Sequence, residues 1–108
     1  MKPGKLDFDK INAEAMALFA SLVRTWLPDG SLQGREWMPR NPTRNDRHPG
    51  SFLINIDTGC FYDFATGEGG RGAIALYAYI NKVSYYKAAE MLAHELGVVP
   101  QKKGGSYV

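Results

Sequence analysis

Ser51-Phe52-Leu53-Ile54-Asn55-Ile56-Asp57, then Thr58-Gly59, then Cys60-Phe61-Tyr62-Asp63-Phe64, is the stretch that decides the fold. Phe52, Ile54 and Ile56 alternate with Leu53, Asn55 and Asp57, the period of two that marks a half-buried strand. Thr58-Gly59 reads as a turn, and 60–64 as the returning strand. With a two-residue turn Ile56 faces Phe61, a β-branched–aromatic pair worth roughly 0.2–1 kcal/mol. The opposite face then carries Leu53, Asn55, Tyr62 and Phe64, and a slip of one residue would exchange the faces.

Downstream, Thr66-Gly67-Glu68-Gly69-Gly70-Arg71-Gly72 reads as a glycine-rich loop. Its glycines suit a tight turn with positive φ. The functional reading of the same loop is a polymer phosphate held by Arg71 and backbone N–H groups at a helix N-terminus. The loop lacks the lysine and Ser/Thr of a P-loop. Residues 73–81 form a helix with Ile74, Tyr77 and Ile80 on one side. Ser84 caps a helix over 85–96, with Tyr85, Ala88, Ala89, Leu92 and Leu96 as its buried stripe, and Gly97 closes it. The tail from Gln101 to Val108 is expected to be mobile.

Upstream, 34–39 reads as a short strand. Residues 40–50 hold two prolines, two asparagines and three arginines and read as loop. Residues 9–27 are expected to form one helix, capped by Asp9, with Ile11, Ala15, Phe19, Leu22, Val23 and Trp26 as its apolar stripe. Residues 1–8 are a loose arm. The order α, short β-meander, α, α predicts one α+β domain over 1–108.

A chain of 108 residues has no room for a binding domain and a full catalytic domain together. At 44% apolar and 12% aromatic it is globular in composition. Thirteen Lys+Arg against eleven Asp+Glu exclude a histone-like coat of charge but not a local basic patch. One cysteine, Cys60, excludes an internal disulfide and a multi-cysteine zinc site. The start lacks a signal-peptide core, and the longest apolar stretch, 15–23, is too short for a bilayer. A cytoplasmic protein is expected.

Between Thr25 and Asn81 there is no lysine; the cations are Arg35, Arg40, Arg44, Arg47 and Arg71. Arginine forks suit phosphate oxygens and stack on bases. Trp37, Phe52, Phe61, Tyr62 and Phe64 are interleaved with them, which is what single-stranded nucleic acid requires: charge for the backbone and flat rings for the bases. The competing reading puts the rings in the core and the arginines on a solvated rim. Glu36, Asp46, Asp57, Asp63 and Glu68 offset the five arginines, so only 35–48 is locally positive. Cys60, Asp63, His48 and His94 are the only conceivable metal ligands, and their spacing does not match a structural zinc site. No base–nucleophile pair accompanies Asp46, Asp57 and Asp63, so no enzyme activity is expected.

Residues 34–98 resemble the zinc-binding ribbon at the N-terminus of bacterial and phage DNA primases. That family reads Cys-Pro-x-His, a Thr-Pro-Ser-Phe-like stretch and a strand. Phe-Tyr-Cys-Phe-x-Cys-Gly, a glycine loop and two helices follow, the second with an Ala-Ala-x-x-Leu-Ala pattern. Here Pro49-Gly50-Ser51-Phe52, Phe61-Tyr62-Asp63-Phe64-Ala65-Thr66-Gly67 and Ala88-Ala89-Glu90-Met91-Leu92-Ala93 follow that order. Met38-Pro39 stands where Cys-Pro would be, Asp63 and Thr66 stand where the second cysteine pair would be, and 40–45 offers no histidine.

The resemblance implies a small antiparallel sheet of zinc-ribbon type with one N-terminal and two C-terminal helices, without metal or cofactor. It also implies a non-catalytic, DNA-binding part of a phage or mobile-element replication protein. Such a part would contact single-stranded template and work with a primase or helicase partner or parent polypeptide. Residue chemistry selects Arg35, Arg40, Arg44, Arg47 and Arg71 for phosphates, and Trp37 and Tyr62 for stacking. The alternative is a protein-docking module, with the long helix and Tyr77, Tyr79, Tyr85 and Tyr86 as its surface. A structural zinc contributes on the order of 10 kcal/mol in zinc-finger peptides. The N-terminal helix is the expected substitute.

Overall fold

The computed structural model describes residues 5–99. A five-stranded antiparallel sheet is joined in the order β1-β2-β3-β4-β5: Leu32–Gln33, Glu36–Trp37, Phe52–Asn55, Cys60–Asp63 and Glu68–Arg71. Helices α1 (Phe8–Met16) and α2 (Phe19–Trp26) precede it, and α3 (Ala73–Asn81) and α4 (Tyr85–Leu96) follow. The fold is α+β, as expected. No helix among the described residues is long and apolar enough to cross a membrane.

The central hairpin keeps the expected faces in a different register. Ile54, not Ile56, opposes Phe61, and Leu53 opposes Tyr62. The turn is longer than two residues because Asn55 organises it. Its Oδ1 accepts from the N–H groups of Asp57 (2.9 Å) and Thr58 (3.0 Å). Gly59 closes the turn at φ +79°. The slip is two residues, so the period of two still sends Phe52, Ile54 and Phe61 inward and Leu53 and Tyr62 outward.

The single helix expected over 9–27 is two helices. It breaks at Ala17-Leu18, where Leu18 adopts φ −118°, ψ 16°. Ile11, Ala15, Phe19 and Val23 are all buried and stand four residues apart. In an unbroken helix such a row drifts ~40° at each step, so the break returns Phe19 and Val23 to the core. The cap is Asp7 rather than Asp9, its Oδ1 accepting from Lys10 N–H at 3.1 Å. Leu6, placed in the expected loose arm, is 4% exposed and belongs to the core. Residues 1–4 of that arm and the tail expected from Gln101 lie outside the described residues.

Two further elements differ from expectation. The strand expected over 34–39 is the second half of a tight hairpin, with Leu32 opposite Trp37 and Gln33 opposite Glu36. The expected glycine loop contains strand β5, and its bareness has a packing cause. A Cβ on Gly70 would lie 2.8 Å from Phe61 Cζ, so the Phe61 ring rests on naked backbone.

All four helices lie on the side of the sheet that carries Phe52, Ile54 and Phe61, within one shared core. Tyr79 of α3 sets its ring 5.8 Å from Phe52 and 5.5 Å from Phe61. α1 joins α3 through a tertiary cap, with Asn12 Oδ1 accepting from Ile74 N–H at 3.2 Å. That side chain takes one N–H group of the helix N-terminus that the sequence offered as an anion site.

Candidate nucleic-acid interface

Among the described residues no helix lies over the outward face of the sheet. Leu53, Asn55, Cys60 and Tyr62 alternate onto it. Phe64 continues the row because its N–H bonds to Ser51 O at 2.8 Å and extends the ladder. Tyr62 is 42% exposed and Phe64 68% exposed, with ring centroids 4.8 Å apart in an edge-on arrangement. Gly69 lies opposite Tyr62, where a Cβ would come within 2.8 Å of Tyr62 Cδ1. Arg71 lies opposite Cys60 and places one cation on the same face.

The other expected contacts divide. Trp37 is not a surface ring. It is 7% exposed, and its Nε1 donates to Leu27 O at 2.9 Å, because β2 turns it toward the core. Arg35 pairs with Asp57 at 3.2 Å and Arg40 with Asp29 at 3.0 Å, all four side chains well solvated. Exposed pairs of this kind are worth ~0–1 kcal/mol and exchange readily for a phosphate. Arg47 and Arg71 are exposed and make no ion pair among the described residues.

Arg44 is committed elsewhere. Its Nε and Nη2 donate to Asp63 at 2.9 and 3.3 Å, its Nη2 to Ser51 Oγ at 2.7 Å, and its Nη1 lies 3.4 Å from Asp46. Asp63 is fully buried and also accepts from Asn41 Nδ2 (2.7 Å) and Ala65 N–H (2.8 Å). Asn41 is 1% exposed, donates to Tyr79 Oη at 2.8 Å and accepts from Thr43. Burial pushes the Asp63 carboxyl pKa up, but hydrogen bonds from Arg44, Asn41 and Ala65 outweigh it and hold the pKa at about 2. The same carboxylate raises the Arg44 pKa. The group is a satisfied polar hub rather than a phosphate site.

The tyrosines of the docking alternative also divide. Tyr77 is 8% exposed and Tyr79 belongs to the hub, whereas Tyr85 and Tyr86 are exposed and pack against Phe8 at 5.4 and 6.2 Å. Two residues that matter here were not among the selected contacts. Phe64 was on the outward face from the start, and its period-two position beside Tyr62 was the available signal. Asp63 shares the inward face with Phe61, and a carboxylate at a core position calls for a buried partner; Asn41 is part of that partner set.

Compared with known proteins, the chain matches no family model and no curated protein.

Proposed function

We propose that this protein is a metal-free relative of the primase zinc ribbons that binds single-stranded template DNA on the open face of its sheet. The carrying observation is the exposed Tyr62–Phe64 pair on a sheet face that no helix among the described residues covers, with Arg71 on the neighbouring strand. Adjacent rings on a sheet are a stacking platform for unpaired bases, each stacked base contributing ~1–3 kcal/mol. Arg71, Arg47 and the displaceable Arg35 and Arg40 supply the backbone charge. Trp37 and Arg44 drop out of the contact set.

The zinc-ribbon relationship is supported by the hub. In the Cys-Pro-x-His pattern the histidine position falls on Asn41, and the first cysteine of the second pair on Asp63. These two side chains are hydrogen-bonded. A buried polar cluster stands where such a family would hold its metal, and it ties the same loop to the same hairpin.

The test is fluorescence anisotropy of a labelled single-stranded oligonucleotide at low and physiological salt, with wild type and a Tyr62→Ala/Phe64→Ala variant. Saturable binding that weakens with salt and is lost in the variant supports the reading. Binding that the variant leaves intact rejects the face. No binding at low salt favours the docking alternative, whose surface is the Phe8–Tyr85–Tyr86 cluster.

A further inference from the structure

Beside the aromatic pair the open face carries a cavity of about 290 Å³, lined by Tyr62, Phe64, Leu53, Asn55, Thr58 and Glu36 among others. Strand order sets its sides. Tyr62 stands on β4, Leu53 and Asn55 on β3, and Glu36 on β2, so rings flank one side and a carboxylate the other. The volume falls just below the ~300 Å³ at which pockets for whole small molecules begin, and suits a single flat ring system.

The carboxylate is oriented. Asn55 Oδ1 is committed to two backbone N–H groups, so its Nδ2 must point the other way, and it donates to Glu36 Oε2 at 2.9 Å. Glu36 Oε1 accepts no hydrogen bond among the described residues. A carboxylate oxygen has two acceptor sites, so Oε2 can take a second donor beside the one from Asn55. The cavity therefore presents two adjacent acceptors at the edge of a stacking platform.

Resting on the single-strand reading above, we infer that Glu36 makes this site selective for guanine. Guanine alone among the bases offers two adjacent donors, N1–H and the N2 amino group, on its Watson–Crick edge. Adenine and cytosine offer one amino group beside a ring-nitrogen acceptor that a carboxylate repels. Thymine offers one N–H between two carbonyls. Unpaired bases are read on this edge while they stack on aromatic rings. The same negative charge opposes the phosphate backbone, so Glu36 weakens binding of every other base while favouring this one.

The experiment measures anisotropy with thymine-tract oligonucleotides carrying one central guanine, hypoxanthine, adenine or cytosine, for wild type, Glu36→Gln and Tyr62→Ala/Phe64→Ala. Glu36→Gln keeps the acceptor that Asn55 needs, and its thermal melt checks that the sheet is intact. Wild type should bind the guanine strand at least about fivefold tighter than the adenine, cytosine or all-thymine strands, a bidentate contact at its weak end. Hypoxanthine, lacking the N2 amino group, should fall between. In Glu36→Gln the guanine advantage should shrink to about twofold or less, while binding of the all-thymine strand holds or tightens. Binding that needs Tyr62 and Phe64 but shows no guanine preference, or keeps it in Glu36→Gln, overturns the inference and leaves the single-strand reading standing. Failure of every strand to bind, or binding indifferent to the aromatic pair, overturns both.

Discussion

The amide of Asn41 donates a 2.7 Å hydrogen bond to the carboxylate of Asp63, twenty-two residues away, with both side chains essentially withdrawn from solvent. Arg44 closes on the same carboxylate through two nitrogens. The long irregular segment between β2 and β3 is thereby pinned to the inward face of β4. A loop with little apolar content is held by polar contacts around its buried Pro39 and Asn41.

The hub makes stability depend on acid. The Asp63 pKa of about 2 in the folded state lies below the ~3.9 of an unfolded aspartate. Its stabilisation is therefore complete above about pH 4 and is lost as pH falls through about 2. After allowance for solvent around the half-exposed Arg44, the loss is of order 1–2 kcal/mol. Urea midpoints at about pH 6, 4 and 2.5 should fall across this range in wild type and change less in Asp63→Asn. Parallel curves would assign the acid sensitivity to other groups.

Asn41→Ala removes both amide donors and the acceptor of Thr43 while leaving Asp63 buried. Leaving buried polar partners unsatisfied costs about 2–3 kcal/mol. Chemical denaturation should show that loss. Arg44→Ala should likewise lower the melting temperature, whereas Arg71→Ala should leave it unchanged and weaken oligonucleotide binding. An Arg44→Ala variant that melts like wild type would contradict the role given to the hub.

The N-terminal helices are integral to the core. Ile11, Ala15, Phe19 and Val23 are buried, and Leu27 O receives the Trp37 indole. Deleting residues 1–27 should abolish cooperative unfolding, seen as a broad thermal transition by near-UV circular dichroism. The milder Asn12→Ala should cost about 1 kcal/mol through the lost cap on α3. A truncated chain that still unfolds sharply would show that the sheet and C-terminal helices suffice.

The sequence made some of this legible and concealed the rest for identifiable reasons. Alternation from Phe52 to Phe64 set the two faces of the hairpin correctly, because a two-residue slip preserves parity. It could not set turn length, which depends on Asn55 bonding its own backbone. The break at Ala17-Leu18 carries no proline or glycine; only the drift of the Ile11, Ala15, Phe19, Val23 row betrays it. The glycine strand looked like a loop because its partner is the Phe61 ring. Arg44 looked free because Asp63 lies 19 residues away. Tyr62, at an outward position, was read correctly as exposed.

Gly70→Ala tests that packing directly. The added methyl would press on the Phe61 ring, itself 5% exposed and wedged against Phe52 and Tyr79. Overpacking here should cost about 1–2 kcal/mol in urea unfolding. Gly34 adopts φ +61° with open space around it, so Gly34→Ala should cost a comparable ~1–2 kcal/mol, through backbone strain alone.

The proposed kinship can be tested by reversing it. Met38, Asn41, Asp63 and Thr66 occupy the four ligand positions of the primase pattern. Asn41 and Asp63 already touch, and the N–H groups of Thr66 and Gly67 both bond Asp63 O, at 3.2 and 2.7 Å. Met38→Cys/Asn41→His/Asp63→Cys/Thr66→Cys replaces the hub with three thiolates and an imidazole, a set that suits tetrahedral zinc. The variant should be poorly folded without metal and fold on adding one equivalent of zinc, because binding and folding are then coupled. Cobalt in place of zinc should give the intense visible absorption of a tetrahedral thiolate site. Asp63→Cys alone should give neither response. A quadruple variant that stays unfolded with zinc, or binds cobalt no better than wild type, would mean that these positions never converged on a metal, and the resemblance would lose its structural support.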